Sequence, residues 1–216
     1  GVNHDGDYSV RITGPIASGD YDHVAAMLKG GLVNRVELDS DGGALGEALA
    51  IGRLIYKKKL DTVVADGKTC ASACGIIWLA GRHRVIEGAG RVGFHAIYLN
   101  DGSQDISSDG NALVGAYFNG LGLSTDAIVY LTHAKPTDMR WFTPADAWYL
   151  AIDTEWRRPN PPHPNLVGRM AVEYSVKKER LGALLTKDHP LEYQQFVSDV
   201  YDAQMAGQDW PNAMRN

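Results

Sequence analysis

The 216-residue chain is 44% hydrophobic and 22% charged, an ordinary globular composition long enough for one sizeable core plus an appendage. A formal net charge of −5 excludes the broad basic footprint of a nucleic-acid binder, and no apolar run approaches the roughly 18 residues that a membrane helix needs. Two cysteines without clustered histidines leave a zinc site short of ligands, so neither a metal nor another cofactor is expected.

The amino terminus, Gly1-Val2-Asn3-His4, lacks an initiator methionine and reads as truncated or processed, so the absence of a signal peptide there carries no information. From Tyr8 to Ile16 the pattern alternates, with Tyr8, Val10 and Ile12 set against Ser9, Arg11 and Thr13; this predicts a half-buried strand closed by Gly14-Pro15. Asp20 to Leu28 reads as a helix with an acidic first turn. A strand over 33–39 runs into Ser40-Asp41-Gly42-Gly43, and a helix follows over 44–58, ending in Lys57-Lys58-Lys59. A double glycine between strand and helix permits backbone conformations that other residues resist, and it can present N–H groups to an anion or oxyanion.

Thr62 to Ala65 is a short β-branched run that predicts a buried strand, broken by Asp66-Gly67. The small residues Ala71, Ser72, Ala73 and Gly75 lead into Ile76, Ile77, Trp78 and Leu79, an apolar stretch stopped by Gly81, and a short buried helix is expected over 72–80. The alternation of strands and helices to this point predicts a mainly parallel sheet covered by helices, an α/β architecture. Ser72 then stands where the first helical turn leaves backbone N–H groups without partners. It is either an N-cap serine or a nucleophile beside donors that could hold an oxyanion. Val85 to Glu87 and Arg91 to Phe94 are β-rich runs around Gly88-Ala89-Gly90, and the second delivers His95. A serine, a glycine pair and a strand-end histidine are three of the parts of a hydrolase site.

Residues 97–110, rich in Gly, Ser, Asp and Asn, predict an exposed loop past His95. Helices follow over 111–120 and 124–133, and Thr143-Pro144-Ala145-Asp146 opens another with threonine as cap and proline at the first helical position. The core domain is expected to span 8–156. Residues 157–164, Arg157-Arg158-Pro159-Asn160-Pro161-Pro162-His163-Pro164, form a stiff proline-dense connector. The remaining stretch, 165–216, holds two amphipathic helices, either a hairpin packing on its own core or an arm reaching a neighbouring subunit.

Ser40-Asp41-Gly42-Gly43, Ala71-Ser72-Ala73 with Leu79-Ala80-Gly81, and Arg91-Val92-Gly93-Phe94-His95 together resemble, in order and spacing, the proteolytic subunit of the Clp protease within the crotonase-like superfamily. The resemblance extends to a branch of exported bacterial proteins with the same Cys-Ala-Ser-Ala-Cys sequence. It implies a crotonase-like ββα superhelix with a C-terminal helical appendage, a serine peptidase acting on peptide or protein substrates, assembly as a homo-oligomer, and an exported or periplasmic location. By position it implies Ser72 as nucleophile and His95 as base, with the N–H groups of Gly42 or Gly43 and of Ala73 as the oxyanion hole. In the family an aspartate precedes the segment that Thr143 begins; aligned without gaps that position falls on Met139, and Asp138, one residue earlier, is the candidate third member. A strand over 138–142 would turn the Asp138 side chain the opposite way. Two other readings stay open: a non-catalytic binding or assembly module of the same fold, and an acyl-CoA-handling relative.

Cys70 and Cys74 flank Ser72. They are either small buried hydrophobes or a disulfide, and a disulfide requires distortion of the first helical turn, because Cα spacing can suit a bridge where Cβ directions do not. A bridge would imply an oxidising compartment. Lys68, four residues before Ser72, raises a serine–lysine dyad that is discounted, because in such proteins the lysine comes from elsewhere in the chain.

Overall fold

The structure, a computed structural model, describes residues 8–99, 105–135 and 137–157. All of its elements lie in the first of two compact units, residues 1–158. The proline-dense connector beyond Arg157 and the expected helical arm fall outside the described residues.

In chain order the elements are β1 (Tyr8–Thr13), α1 (Asp20–Met27), β2 (Val33–Asp39), α2 (Leu45–Lys58), β3 (Asp61–Val64), β4 (Thr69–Ala71) and α3 (Ala73–Trp78). They continue with β5 (Arg84–Glu87), β6 (Arg91–Phe94), α4 (Ser108–Gly120), α5 (Thr125–Thr132), β7 (Arg140–Trp141), α6 (Pro144–Tyr149) and β8 (Glu155–Arg157). A five-stranded sheet in the order β1-β2-β3-β5-β8 is parallel throughout. A second sheet, β4-β6-β7, joins β4 and β6 in parallel and β6 and β7 antiparallel. The expected α/β architecture with a mainly parallel sheet is therefore the observed one.

Helices cover the sheet, so each parallel strand buries its apolar residues, whether these alternate with polar ones, as in β1 and β2, or run together, as in β3 and β5. Val36 and Leu38 of β2, Val64 of β3 and Ile86 of β5 are all buried. Helix α2 turns Ala48, Leu49, Ile51 and Ile55 inward at helical spacing. All six residues of α3 are buried, which explains why Ala-Cys-Gly-Ile-Ile-Trp carries no polar face. Trp78 meets Phe142 edge-to-face at 5.4 Å between ring centroids, and Phe142 meets Phe94 at 6.1 Å. Such pairs add about 0.5–1.5 kcal/mol each beyond area burial. They seal α3 against β6 and the segment after β7.

Four local differences from the sequence pattern have physical causes. Thr69-Cys70-Ala71 forms a strand that its three residues are too few to announce; pairing with β6 creates it. Helix α3 starts one residue later than the 72–80 expected, because Ser72 leaves the helical region of backbone space, and ends two residues earlier, where the Ala80 and Gly81 N–H groups donate to carbonyls three residues back, those of Ile77 and Trp78. Helix α4 begins at Ser108, inside the expected loop, because the Ser107 hydroxyl accepts the Gly110 N–H at 3.0 Å. Arg157, assigned to the connector by its neighbours, is the last residue of β8 and pairs with Glu87.

Candidate active site

The site is built where β4 hands over to α3. Ala71 stands opposite Gly93 in the parallel register, and the next amide, that of Ser72, donates to the Gly93 carbonyl at 2.9 Å. Ser72 itself turns sharply, with φ 56° and ψ −122°. A non-glycine residue held there costs on the order of 1–3 kcal/mol. Sharp strand-to-helix turns of this kind lift a serine hydroxyl out of the backbone's own hydrogen bonding. Although Ser72 occupies the N-cap position, its side chain makes no capping bond, so helix capping does not account for a serine here. The residue is half-buried between the fully buried Ala71 and Ala73.

Cys70 and Cys74 are joined by a disulfide with a Cα–Cα separation of 5.0 Å. Cys70 belongs to β4 rather than to the helix, and the positive-φ turn at Ser72 folds α3 back far enough for Cys74 to meet it. Both cysteines are completely buried. The bridge therefore spans the turn that carries Ser72, tying the strand before it to the helix after it.

The Gly42-Gly43 turn packs directly on this junction. A Cβ at Gly42 would lie 2.8 Å from Ser72 Cβ and 3.1 Å from the Ala73 nitrogen, so only glycine fits at that φ of 110°. A Cβ at Gly43 would run into the Ile16 carbonyl. The segment after β1 clamps the turn from the other side: Ile16 N–H donates to the Gly42 carbonyl at 2.8 Å, and Ala44 N–H donates to the Ile16 carbonyl at 2.8 Å. The two glycine amides then differ. That of Gly42 donates to Ser40 Oγ at 3.1 Å; that of Gly43, an exposed residue, has no acceptor among the described residues. Ala73 N–H, at the first position of α3, likewise has none.

His95 leaves the end of β6, the strand paired with β4, and is nearly buried. Its Nδ1 lies 2.7 Å from the Ala96 carbonyl oxygen. A carbonyl can only accept, so Nδ1 carries the proton and the lone pair of the neutral ring sits on Nε2. Nε2 has no partner among the described residues. The Tyr98 ring lies at 5.6 Å from the imidazole, tilted by 34°.

Asp138 has no hydrogen bond to this group among the described residues. It is exposed, in a bend whose backbone N–H donates to the Lys135 carbonyl at 2.9 Å, and its carboxylate makes no hydrogen bond among the described residues. β7 covers only Arg140 and Trp141, so the bend, not a strand, sets the direction of Asp138. Met139 is the neighbour that approaches β6: its Cγ and Sδ, with the Trp141 ring, close over Gly93.

Lys68 also points elsewhere. Its Nζ pairs with an Asp39 carboxylate oxygen at 2.9 Å, and that hydrogen bond holds the Asp39 carboxyl below its usual range. A depressed carboxylate pKa contributes stability above the ordinary value near 3.8, and the contribution is lost as pH falls through the lowered folded value. Lys68→Met is expected to return the Asp39 pKa toward normal in a carboxyl-detected NMR titration, at a stability cost below about 1 kcal/mol because the pair is exposed.

Among the described residues no group of acidic, histidine or cysteine side chains is placed to hold a metal, and no helix is long and apolar enough to cross a membrane. No family model and no curated protein matches the chain. Solved structures do. The 1510-N membrane-bound stomatin-specific protease, as a serine-to-alanine mutant, superposes with a TM-score of 0.53 at 17% identity, covering 76% of this chain and 84% of that one. The same protease in complex with a substrate peptide gives 0.51 at 16% identity, covering 74% and 94%. The ClpP protease catalytic domain from Plasmodium falciparum gives 0.53 at 18% identity, covering 72% and 88%. The polypeptide described here has the α/β fold of the ClpP-like proteases.

Proposed function

We propose that the protein is a serine hydrolase, most simply a peptidase, with Ser72 as nucleophile, His95 as general base and the N–H groups of Gly43 and Ala73 as the oxyanion hole. The observation that carries this reading is Ser72 itself: a strained serine at a strand-to-helix turn, uncapped, with two amides in the segments packed around it that have no partner among the described residues. The fold shared with proteases, one of them solved with a substrate peptide, supports peptide as the substrate class.

In this mechanism the Ser72 hydroxyl attacks a carbonyl carbon while Nε2 of His95 takes its proton; the carbonyl oxygen becomes an oxyanion held by the two amides. His95 then returns the proton to the leaving amine, and water, activated by the same nitrogen, releases the acyl group. The Ala96 carbonyl fixes the tautomer that this requires. Asp138 remains the candidate carboxylate, reaching His95 if its bend rearranges when substrate binds. The buried disulfide supports an oxidising, exported location.

One observation favours the competing reading of a non-catalytic module: no carboxylate among the described residues bonds to His95. A fluorophosphonate separates the two. The expected result is a single adduct by intact mass, mapped to Ser72 and absent in Ser72→Ala; no adduct, or an adduct on another residue, overturns the hydrolase reading.

A further inference from the structure

The Gly42-Gly43 turn offers two amides, and only one can serve. We infer that Ser40 is the positioning residue that makes this choice: by taking the Gly42 N–H onto its own hydroxyl it leaves the Gly43 N–H as the amide that faces substrate. This role rests on the serine-hydrolase reading above.

Three features of Ser40 carry the inference. The residue is 4% exposed, buried at the end of a strand whose other polar residues face solvent or ion pairs. A buried hydroxyl without a partner is costly, so it is retained for what it bonds. Its Oγ accepts the Gly42 N–H at 3.1 Å, closing a tight turn two residues long. Its backbone is anchored on both sides: Ser40 N–H donates to the Thr69 carbonyl at 2.8 Å, and Ala71 N–H donates to the Ser40 carbonyl at 2.9 Å. Ser40 is thus hydrogen-bonded to the residue immediately before Ser72, and the turn it closes rests on Ser72 Cβ.

The chemical consequence follows from geometry. Successive amides in a glycine turn point in different directions, and an oxyanion donor acts only when it is held in place before charge develops. Without the Ser40 hydroxyl, Gly42 N–H must find water or another acceptor, and the glycine pair, with φ values of 110° and 146°, is held only from the other side, by Ile16 N–H on the Gly42 carbonyl, and gains freedom to tilt. The donor at Gly43 would then be present for only part of the time. Ser40 touches neither substrate nor the reacting atoms, so its contribution is to the fraction of molecules with the donor aligned.

The test uses the full chain labelled with ¹⁵N-glycine. In the parent, the Gly42 amide is expected to exchange with solvent more slowly than the Gly43 amide; in Ser40→Ala that protection disappears. The maximal rate of fluorophosphonate inactivation should fall about tenfold in Ser40→Ala, a fraction of the effect of losing an oxyanion donor outright, with the reagent's binding constant unchanged. Ser40→Thr, which keeps the hydroxyl, should recover most of the rate. A merely structural role would lower the melting temperature and leave the inactivation rate alone. Equal exchange of Gly42 and Gly43 in a parent that labels at Ser72, or a folded Ser40→Ala that labels at the parent rate, overturns the role of Ser40 alone. A parent that takes no label at Ser72 overturns the hydrolase reading and this role with it.

Discussion

His95→Ala is expected to slow the acylation of Ser72 by about 10²–10⁴-fold, the usual share of a positioned general base, while the protein stays folded. Among the described residues the ring makes one hydrogen bond, to the Ala96 carbonyl, and an average bond of that kind contributes about 1 kcal/mol. Its removal therefore separates reactivity from stability. The companion variant Asp138→Asn decides what orients the ring. If the Ala96 carbonyl holds the imidazole as the structure shows, Asp138→Asn should label within a few-fold of the parent, since the exposed Asp138 carboxylate has no hydrogen bond to lose among the described residues. A loss on the order of 10⁴-fold, typical when a triad carboxylate is neutralised, would instead show that the bend at 138 closes on His95 in the reactive state. Stopped-flow labelling of the two variants, with thermal melts as the folding control, measures both outcomes. A His95→Ala protein that labels at the parent rate would remove His95 from the mechanism.

The second large effect concerns the Cys70–Cys74 bridge. It closes a loop of a few residues, and for so short a loop the chain-entropy estimate of its stabilisation is roughly 2 kcal/mol. For a chain of this length that corresponds to a melting temperature lower by about 4–8 °C when the bridge is lost. Its local effect is different in kind. Ser72 is held at φ 56°, a conformation on the order of 1–3 kcal/mol above ordinary backbone, and the bridge ties the strand before it to the helix after it. Releasing that restraint lets Ser72 relax. Since about 1.4 kcal/mol is a factor of ten, the productive population should fall by roughly tenfold to a hundredfold. The double variant Cys70→Ala, Cys74→Ala should therefore lose far more Ser72 labelling rate than thermal stability. Free-thiol counting on the denatured parent, made in an oxidising compartment, should find none; two free thiols, or a double variant that labels normally, would remove the bridge from the site.

The elements that sequence made legible are those whose burial pattern is local. Val36 and Leu38 alternate with polar neighbours and lie in the sheet as expected, and the apolar run from Ile76 to Leu79 is buried on every side. The cap at Thr143 needed only its own four residues: its hydroxyl accepts the Asp146 N–H at 3.1 Å while the Asp146 carboxylate accepts the Thr143 N–H at 2.8 Å. Ser72, His95 and the glycine pair were visible because strand ends, helix starts and double glycines have signatures within a few residues.

What the sequence by itself determined, then, is the order of strands and helices, the parallel architecture and the places where chemistry could sit. Only the tertiary structure decided how those places are used, because local groups are paired or left over according to backbone conformation and to the pairing of segments from different parts of the chain. β4 exists through its register with β6. The disulfide was an open alternative until the positive-φ turn at Ser72 brought Cys74 back to the strand. The difference between Gly42 and Gly43 depends on a hydroxyl two residues away and on Ile16 in the segment after β1. The partner of His95 is a backbone carbonyl, which every residue possesses, so no residue type could announce it. Periodicity reports which face a side chain takes within its own element; it does not report which amide is left over once strands from different parts of the chain have paired.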